Sequence, residues 1–252
     1  MTTIVSAQHV NKVYKMGETQ QHVLKNIELA IKEGEFIAIM GPSGSGKSTL
    51  LYAVSGMDQI TSGRVLFQDK ELTALTEEQL AALRLQTMGF IFQQSHLLKN
   101  LTIFDNIILA AYLAKIENRQ TVNRRALELM KGMGIEELAN HMITQVSGGQ
   151  LQRAAICRAL MNNPRMLFAD EPTGALNTNA AIEVMDILAD IHQSGTTIML
   201  VTHDIKVAAK TERVLFMVDG QIVAEHTLGT YKKEQLKARE ERLVGWLSQL
   251  GF

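Results

Sequence analysis

Between residues 27 and 31 the chain alternates. Ile27, Leu29 and Ile31 are apolar and their neighbours are mostly polar, the period-two pattern of a strand with one buried face. Glu33-Gly34-Glu35 then turns the chain into residues 36–40, five apolar positions in a row, which predict a strand buried on both faces. Residues 4–40 as a whole carry strand-like stretches, with residues 16–20 as an earlier hairpin tip. Residues 63–68 predict another short strand, closed at Gln68-Asp69. Thr76-Glu77-Glu78-Gln79 has the spacing of a capping box, and Leu80 and Leu83 begin the apolar face of the helix it starts.

From about residue 94 to 145 the pattern turns helical: residues 102–114, then 122–131, ended near Gly132 and Gly134. Strand signals are missing there, so this stretch reads as a helical subdomain inserted into an α/β core. The core resumes with a helix over about 148–161, stopped by Asn162-Asn163-Pro164. An apolar strand 166–169, a helix of about 179–193 and a strand 197–201 follow. Residues 214–218 and 221–225 flank Asp219-Gly220, the strongest short hairpin signal in the chain. In the tail, Leu243, Trp246, Leu247 and Leu250 recur at helical spacing, which predicts a terminal helix packed on its own domain, the competing reading being a surface that docks a partner or the membrane.

Composition narrows the class. At 252 residues, with 46% hydrophobic and 20% charged positions, the chain suits a soluble globular protein with one large α/β domain or a core with a substantial insertion. A formal net charge of −1, with no run of five like charges, lends no electrostatic support to nucleic-acid binding, and no nucleic-acid partner is expected. The single cysteine, Cys157, excludes an internal disulfide and sits among Ala154, Ala155, Ile156 and Ala159 as a small core thiol. No basic-plus-apolar leader opens the sequence, and no apolar run approaches the ~18 residues of a membrane span. A cytoplasmic protein is expected, reaching a membrane only through a partner.

Candidate chemistry begins where the buried strand 36–40 ends. Gly41-Pro42-Ser43-Gly44-Ser45-Gly46-Lys47-Ser48 fits G-x-x-x-x-G-K-[ST] between that strand and a helix opened by Thr49. Three glycines let successive N–H groups converge on one point, and the helix start adds its amides and positive dipole end. Lys47 supplies a charge for β/γ-phosphates and Ser48 an oxygen for Mg²⁺. The stretch predicts a nucleoside triphosphate site.

The strand at 166–169 runs directly into Asp170-Glu171. Adjacent carboxylates repel unless a cation or a reaction needs them, so Asp170 is the expected Mg²⁺ holder and Glu171 the base for an attacking water. The strand at 197–201 ends in Thr202-His203-Asp204 and would deliver His203 to the same edge as Glu171; the competing reading makes His203 the cap of the next helix. Ser147-Gly148-Gly149-Gln150 precedes a helix carrying Arg153 and Arg158, and is either a second anion-binding helix start or only an N-cap. Two anion cradles suggest one shared nucleotide. Spacing does not decide whether one chain or two hold it.

Together these residues resemble an ABC-type ATPase, the ATP-binding subunit of an ABC transporter, from about Ile4 to His226 with the motifs in family order. On that resemblance Tyr14 is the adenine-stacking aromatic, residues 41–49 the phosphate loop, and Gln93 a catalytic and Mg²⁺-contacting glutamine beside Ser48 and Asp170. Residues 146–150 are the signature, Glu171 the base and His203 the switch histidine. The implied fold is α/β, a P-loop NTPase (RecA-like) core with an N-terminal antiparallel β subdomain and an inserted α-helical subdomain. Residues 1–226 would form a single ATPase domain with the helical subdomain at about 94–150, and 227–252 a helical tail.

Gly17-Glu18, Gly89-Phe90-Ile91-Phe92-Gln93 and Ala169-Asp170-Glu171-Pro172-Thr173-Gly174-Ala175-Leu176 look like the group serving macrolide export, lipoprotein release and bacitracin-type peptide resistance. The resemblance implies ATP and Mg²⁺ as ligands and a head-to-tail dimer with a second copy, ATP lying between Lys47 of one and Ser147 and Gly149 of the other. It also implies a membrane permease on whose inner face the subunit sits, exporting or removing an antimicrobial peptide, drug or lipid-linked compound. A regulatory ATPase controlling a cell-wall hydrolase or signalling partner is the alternative. Two positions depart from the family: Val146 stands for the usual Leu, and Asn177 for the Asp of the D-loop, keeping an acceptor oxygen and losing the charge.

Overall fold

The structure is a computed structural model that describes residues 2–17 and 19–251; Glu18, part of the first-hairpin phrase, lies outside them. The chain forms two compact units, Met1–Thr76 with His192–Phe252, and Glu77–Ile191.

The first unit opens with β1 (Thr3–Met16) and β2 (Thr19–Lys32), paired antiparallel, then β3 (Phe36–Met40) and α1 (Lys47–Val54). β4 (Ser62–Phe67) pairs antiparallel with β1, and the short β5 (Lys70–Glu71) closes a four-stranded antiparallel sheet in the order β2-β1-β4-β5. The alternation that predicts β2 is the alternation observed: Ile27, Leu29 and Ile31 are buried, Glu28, Ala30 and Lys32 exposed. All five residues of β3 are buried, as an uninterrupted apolar run requires.

The second unit contains α2 (Glu77–Thr87), β6 (Met88–Phe92), α3 (Ile103–Ala114), α4 (Arg119–Gly132), α5 (Gly148–Leu160), β7 (Met166–Asp170) and most of α6 (Thr178–Gln193). Helices α3, α4 and α5 enclose a core of Ile103, Ile107, Ala126, Met130, Ala154 and Cys157. Burial pushes the Cys157 thiol up to about 12, so it is inert packing. Two sequence expectations shift here. α4 begins three residues before the apolar periodicity does, because the Asn118 side chain accepts from the Thr121 N–H and caps a first turn that is polar. β6 is not among the expected strands: five residues directly behind a helix give periodicity too little length to register. Pairing parallel with β7, from Met88 opposite Met166 to Phe92 opposite Asp170, is what extends it.

The chain then returns to the first unit as β8 (Thr197–Val201), α7 (Ile205–Ala208), β9 (Arg213–Val218), β10 (Gln221–Thr227) and α8 (Leu236–Gln249). β3 lies between β8 and β9, parallel to both, and β10 returns antiparallel to β9. Asp219 and Gly220 have φ of 48° and 82°, the two positive values that a two-residue type I′ turn demands. The terminal helix packs on its own unit. Leu243 and Leu247 are buried with Met40 and Phe216, while Arg239 donates to the carbonyls of Ala209, Thr211, Leu228, Gly229 and Thr230. Leu250 sits just beyond the helix and is exposed. Among the described residues no helix is long and apolar enough to cross a membrane.

Candidate functional site

The first unit holds the phosphate loop, between β3 and α1. Its glycines are imposed by backbone neighbours: a Cβ on Gly41 would lie 2.0 Å from the Met217 carbonyl oxygen, and one on Gly46 2.9 Å from that of Val23. The β9–β10 turn braces the loop, with the Gly220 N–H donating to the Ser45 carbonyl at 3.0 Å and the Lys25 N–H to the Gly220 carbonyl at 2.9 Å. Neither Met217 nor Gly220 carries any sign of this role in the sequence. Lys47 is buried and curls back over the loop, its Nζ donating to the carbonyls of Gly41 and Pro42 at 2.9 and 2.8 Å. α1 starts on Gly46 with no side-chain cap and no acidic residue in its first turn. Ser45 Oγ is buried without a hydrogen-bond partner, Ser43 and Gly44 are exposed at the rim, and Ser48 and Thr49 are half-buried. An uncapped helix start, a bent-over ammonium and an orphaned hydroxyl make a cradle that fits an anion.

Tyr14 projects from β1 on the same face as Lys12. Its hydroxyl donates to Asp58 Oδ2 at 2.6 Å, and Lys12 Nζ donates to Asp58 Oδ1 at 2.6 Å and to the Gln59 carbonyl at 2.5 Å. Burial opposes the Asp58 charge, but hydrogen bonds from Lys12 and Tyr14 and the Lys12 charge outweigh it and hold the carboxyl below its ordinary range. Burial and the Asp58 carboxylate push the Tyr14 phenol up. His203 is exposed at the end of β8. Because β8 runs beside β3, that end lies at the edge where the phosphate loop begins. The cap of α7 is Asp204, which accepts from the Lys206 N–H at 2.8 Å, so His203 is not the cap.

The second unit holds Gln93, residues 147–150, Asp170 and Glu171. Paired β6 and β7 end together, so Gln93 and Asp170 leave neighbouring strands side by side. Glu171 has φ of 48°, a left-handed backbone uncommon outside glycine, and its carbonyl accepts from the Gly174 N–H at 3.0 Å. Gln93 lies across that turn: a Cβ on Gly174 would meet its Nε2 at 3.0 Å. Gln152, 2% exposed on α5, donates through Nε2 to the Phe92 carbonyl at 3.0 Å and the Pro172 carbonyl at 2.8 Å, tying both strand exits together. Sequence reasoning passes over it; its one signal is an amide two residues past the SGGQ run.

The α5 start is a complete capping box. Ser147 Oγ accepts from the Gln150 N–H at 3.4 Å, and the Ser147 N–H donates to Gln150 Oε1 at 2.8 Å. Arg153 pairs with Glu183 at 2.7 Å, and Arg158 donates to the carbonyls of Ser95 and His96, so both arginines serve their own unit rather than an incoming anion. Asn177 Oδ1 accepts from the Ala180 N–H at 3.0 Å, capping α6 with the oxygen it shares with aspartate. Among the described residues no three His, Cys, Asp or Glu side chains form a metal cluster. Within the second unit Asp170 beside Gln93 offers one carboxylate and one amide oxygen, donors of the kind that suit Mg²⁺, which takes its remaining ligands from phosphate and water.

Residues 24–174 match the family model described as ABC transporter. The chain is 45% identical over 222 residues to the macrolide export ATP-binding/permease protein MacB of Hahella chejuensis, covering 88% of this chain and 34% of that protein. Thus it spans about a third of the length of the MacB relative. It is 42% identical over 230 residues to an uncharacterized ABC transporter ATP-binding protein of Methanocaldococcus jannaschii, covering 89% of this chain and 97% of that one. A solved structure of an ATP-binding cassette, a dimer in a post-hydrolysis state bound to ADP and phosphate, superposes with a TM-score of 0.84 at 41% identity, covering 90% of this chain and all of that one. The chain belongs to the ABC transporter family, as an ATP-binding, ATP-hydrolysing cassette.

Proposed function

We propose that two copies of this cassette close head to tail on ATP and drive a membrane permease that exports or removes an antimicrobial peptide, drug or lipid-linked compound. The observation that carries the reading is the exposed SGGQ start of α5. A Cβ on Gly148 would have nothing nearer than the Leu176 Cδ2 at 3.8 Å, so nothing within the fold requires glycine there. Close approach by a nucleotide held on a second copy requires it. The dimeric cassette structures of the relative support this arrangement, and the permease named in MacB supports the partner. In this reading the cassette is peripheral on the inner face of the membrane. Residues 1–226 act as one ATPase domain with the helical subdomain at 94–150, and 227–252 is its tail.

The phosphate loop, with Lys47, holds the triphosphate, and Tyr14 stacks the base. Ser48, Gln93 and Asp170 would hold Mg²⁺, which would supply positive charge to the phosphoryl oxygens. Glu171 takes the proton of the attacking water, His203 orients the γ-phosphate end, and residues 147–150 of the second copy close the site. Glu171→Gln keeps the side chain's shape and removes the base, so saturating ATP should hold the variant as a dimer with turnover lowered about a hundredfold or more. Light scattering and phosphate release read the two effects. A monomer under those conditions, or normal turnover, rejects the reading.

A further inference from the structure

We propose that Lys12 is a positioning and specificity residue for the nucleotide base, a cation set behind the Tyr14 ring. The inference rests on Tyr14 as the base-stacking residue and lies wholly within the first unit. Lys12 is 7% exposed, and its ammonium lies 4.6 Å from the centre of the Tyr14 ring, within cation–π range. The cation covers one ring face, yet Tyr14 is 36% exposed, which leaves part of its side chain open to a ligand. A cation on one face withdraws electron density from the ring and favours an electron-rich purine on the other.

The ring is also fixed in orientation, and by the helix that begins at the phosphate loop. Asp58, which accepts the Tyr14 hydroxyl at 2.6 Å, sits in the turn after α1 and donates its own N–H to the Tyr52 carbonyl at 3.1 Å. Lys12 clamps the same turn through Asp58 Oδ1 and the Gln59 carbonyl. Thr49, in the first turn of α1, reaches the Tyr14 hydroxyl as well. One helix thus gauges both the phosphate cradle at its start and the base platform beside it. Lys12 locks that platform before ligand arrives, so less side-chain freedom is lost on binding.

The test separates base from phosphate. Calorimetry on the purified full chain compares ATP with inorganic triphosphate, which lacks a base. Lys12→Met keeps the buried stem and removes the cation. It should weaken ATP binding about threefold to tenfold and leave inorganic triphosphate within about twofold. Because Lys12→Met strands the Asp58 charge, the double variant Lys12→Met/Asp58→Asn provides a second, independent reading and should show the same split. Equal weakening of both ligands, no weakening of either, or full ATP affinity in the double variant overturns the proposal. Tyr14→Ala separates the two levels: if it too fails to split ATP from inorganic triphosphate, the base-stacking role of Tyr14 is what has failed. If only Lys12→Met fails to split them, the role of Lys12 alone is rejected.

Discussion

The starts of α1 and α5 invite comparison, because both are helix N-termini behind a glycine-containing motif and they are built on opposite terms. At α1 no side chain caps the helix, and the glycines are enforced by the fold itself, with the Met217 and Val23 carbonyl oxygens where side chains would be. At α5 the cap is complete, Ser147 and Gln150 satisfying each other; a Cβ on Gly148 would make only an ordinary 3.8 Å contact with Leu176, although one on Gly149 would come within 3.0 Å of the Ala180 Cβ. The first start is left chemically unfinished and sterically determined. The second is chemically finished and, at Gly148, sterically free. A helix terminus alone therefore says little; what distinguishes a ligand cradle is which of its features the rest of the chain already accounts for.

Three substitutions put that contrast to the test, in descending order of expected effect on the fold. Gly41→Ala drives a methyl to 2.0 Å from a backbone oxygen that cannot rotate away. It should cost about 3 kcal/mol or more, with ATP affinity falling at least about a hundredfold, as read by thermal unfolding and calorimetry. A well-folded Gly41→Ala protein with unchanged affinity contradicts the steric account of the loop. Gln152→Met keeps the volume and leaves the Phe92 and Pro172 carbonyls without their donor. The expected loss is about 2–4 kcal/mol from two abandoned acceptors, measured by chemical denaturation. Turnover should also drop at unchanged ATP affinity, since the phosphate loop is built without this side chain. A loss of ATP affinity equal to the loss of turnover argues against the tie between the two strand exits.

The smallest effect belongs to Gly148→Ala. Alanine is the better helix former and meets no atom closer than the 3.8 Å contact to Leu176. Stability should stay level or rise by up to about 1 kcal/mol, while ATP turnover falls about tenfold or more because the proposed second copy approaches there. Unfolding would show that the fold, not a partner, requires glycine at 148; full turnover would remove the reason for placing a partner there.

Much of the fold was legible because its elements state their own periods. β2 alternates, β3 is continuously apolar, and Asp219-Gly220 announces its turn, each within a few residues. The phosphate loop and the Asp170-Glu171 pair were legible for a related reason: their chemistry rests on residue types adjacent in the chain. β6 was not, being five residues long and specified by its partner β7 rather than by a period. The supports of the site were hidden more deeply. Lys12 and Asp58 are 46 positions apart and meet as an ion pair at 2.6 Å, while Gln152 reaches Phe92 across 60 positions.

The sequence by itself predicted an α/β core around a glycine loop that takes a nucleoside triphosphate, because both are written in short-range patterns, and its resemblance to a family implied ATP hydrolysis. Only the tertiary structure decided which carbonyls forbid a side chain at Gly41, which amide ties Gln93 to the Glu171 turn, and which cation stands behind Tyr14. Those depend on side chains and backbone brought together from distant positions, and contacts of that kind leave no local period in a sequence to read.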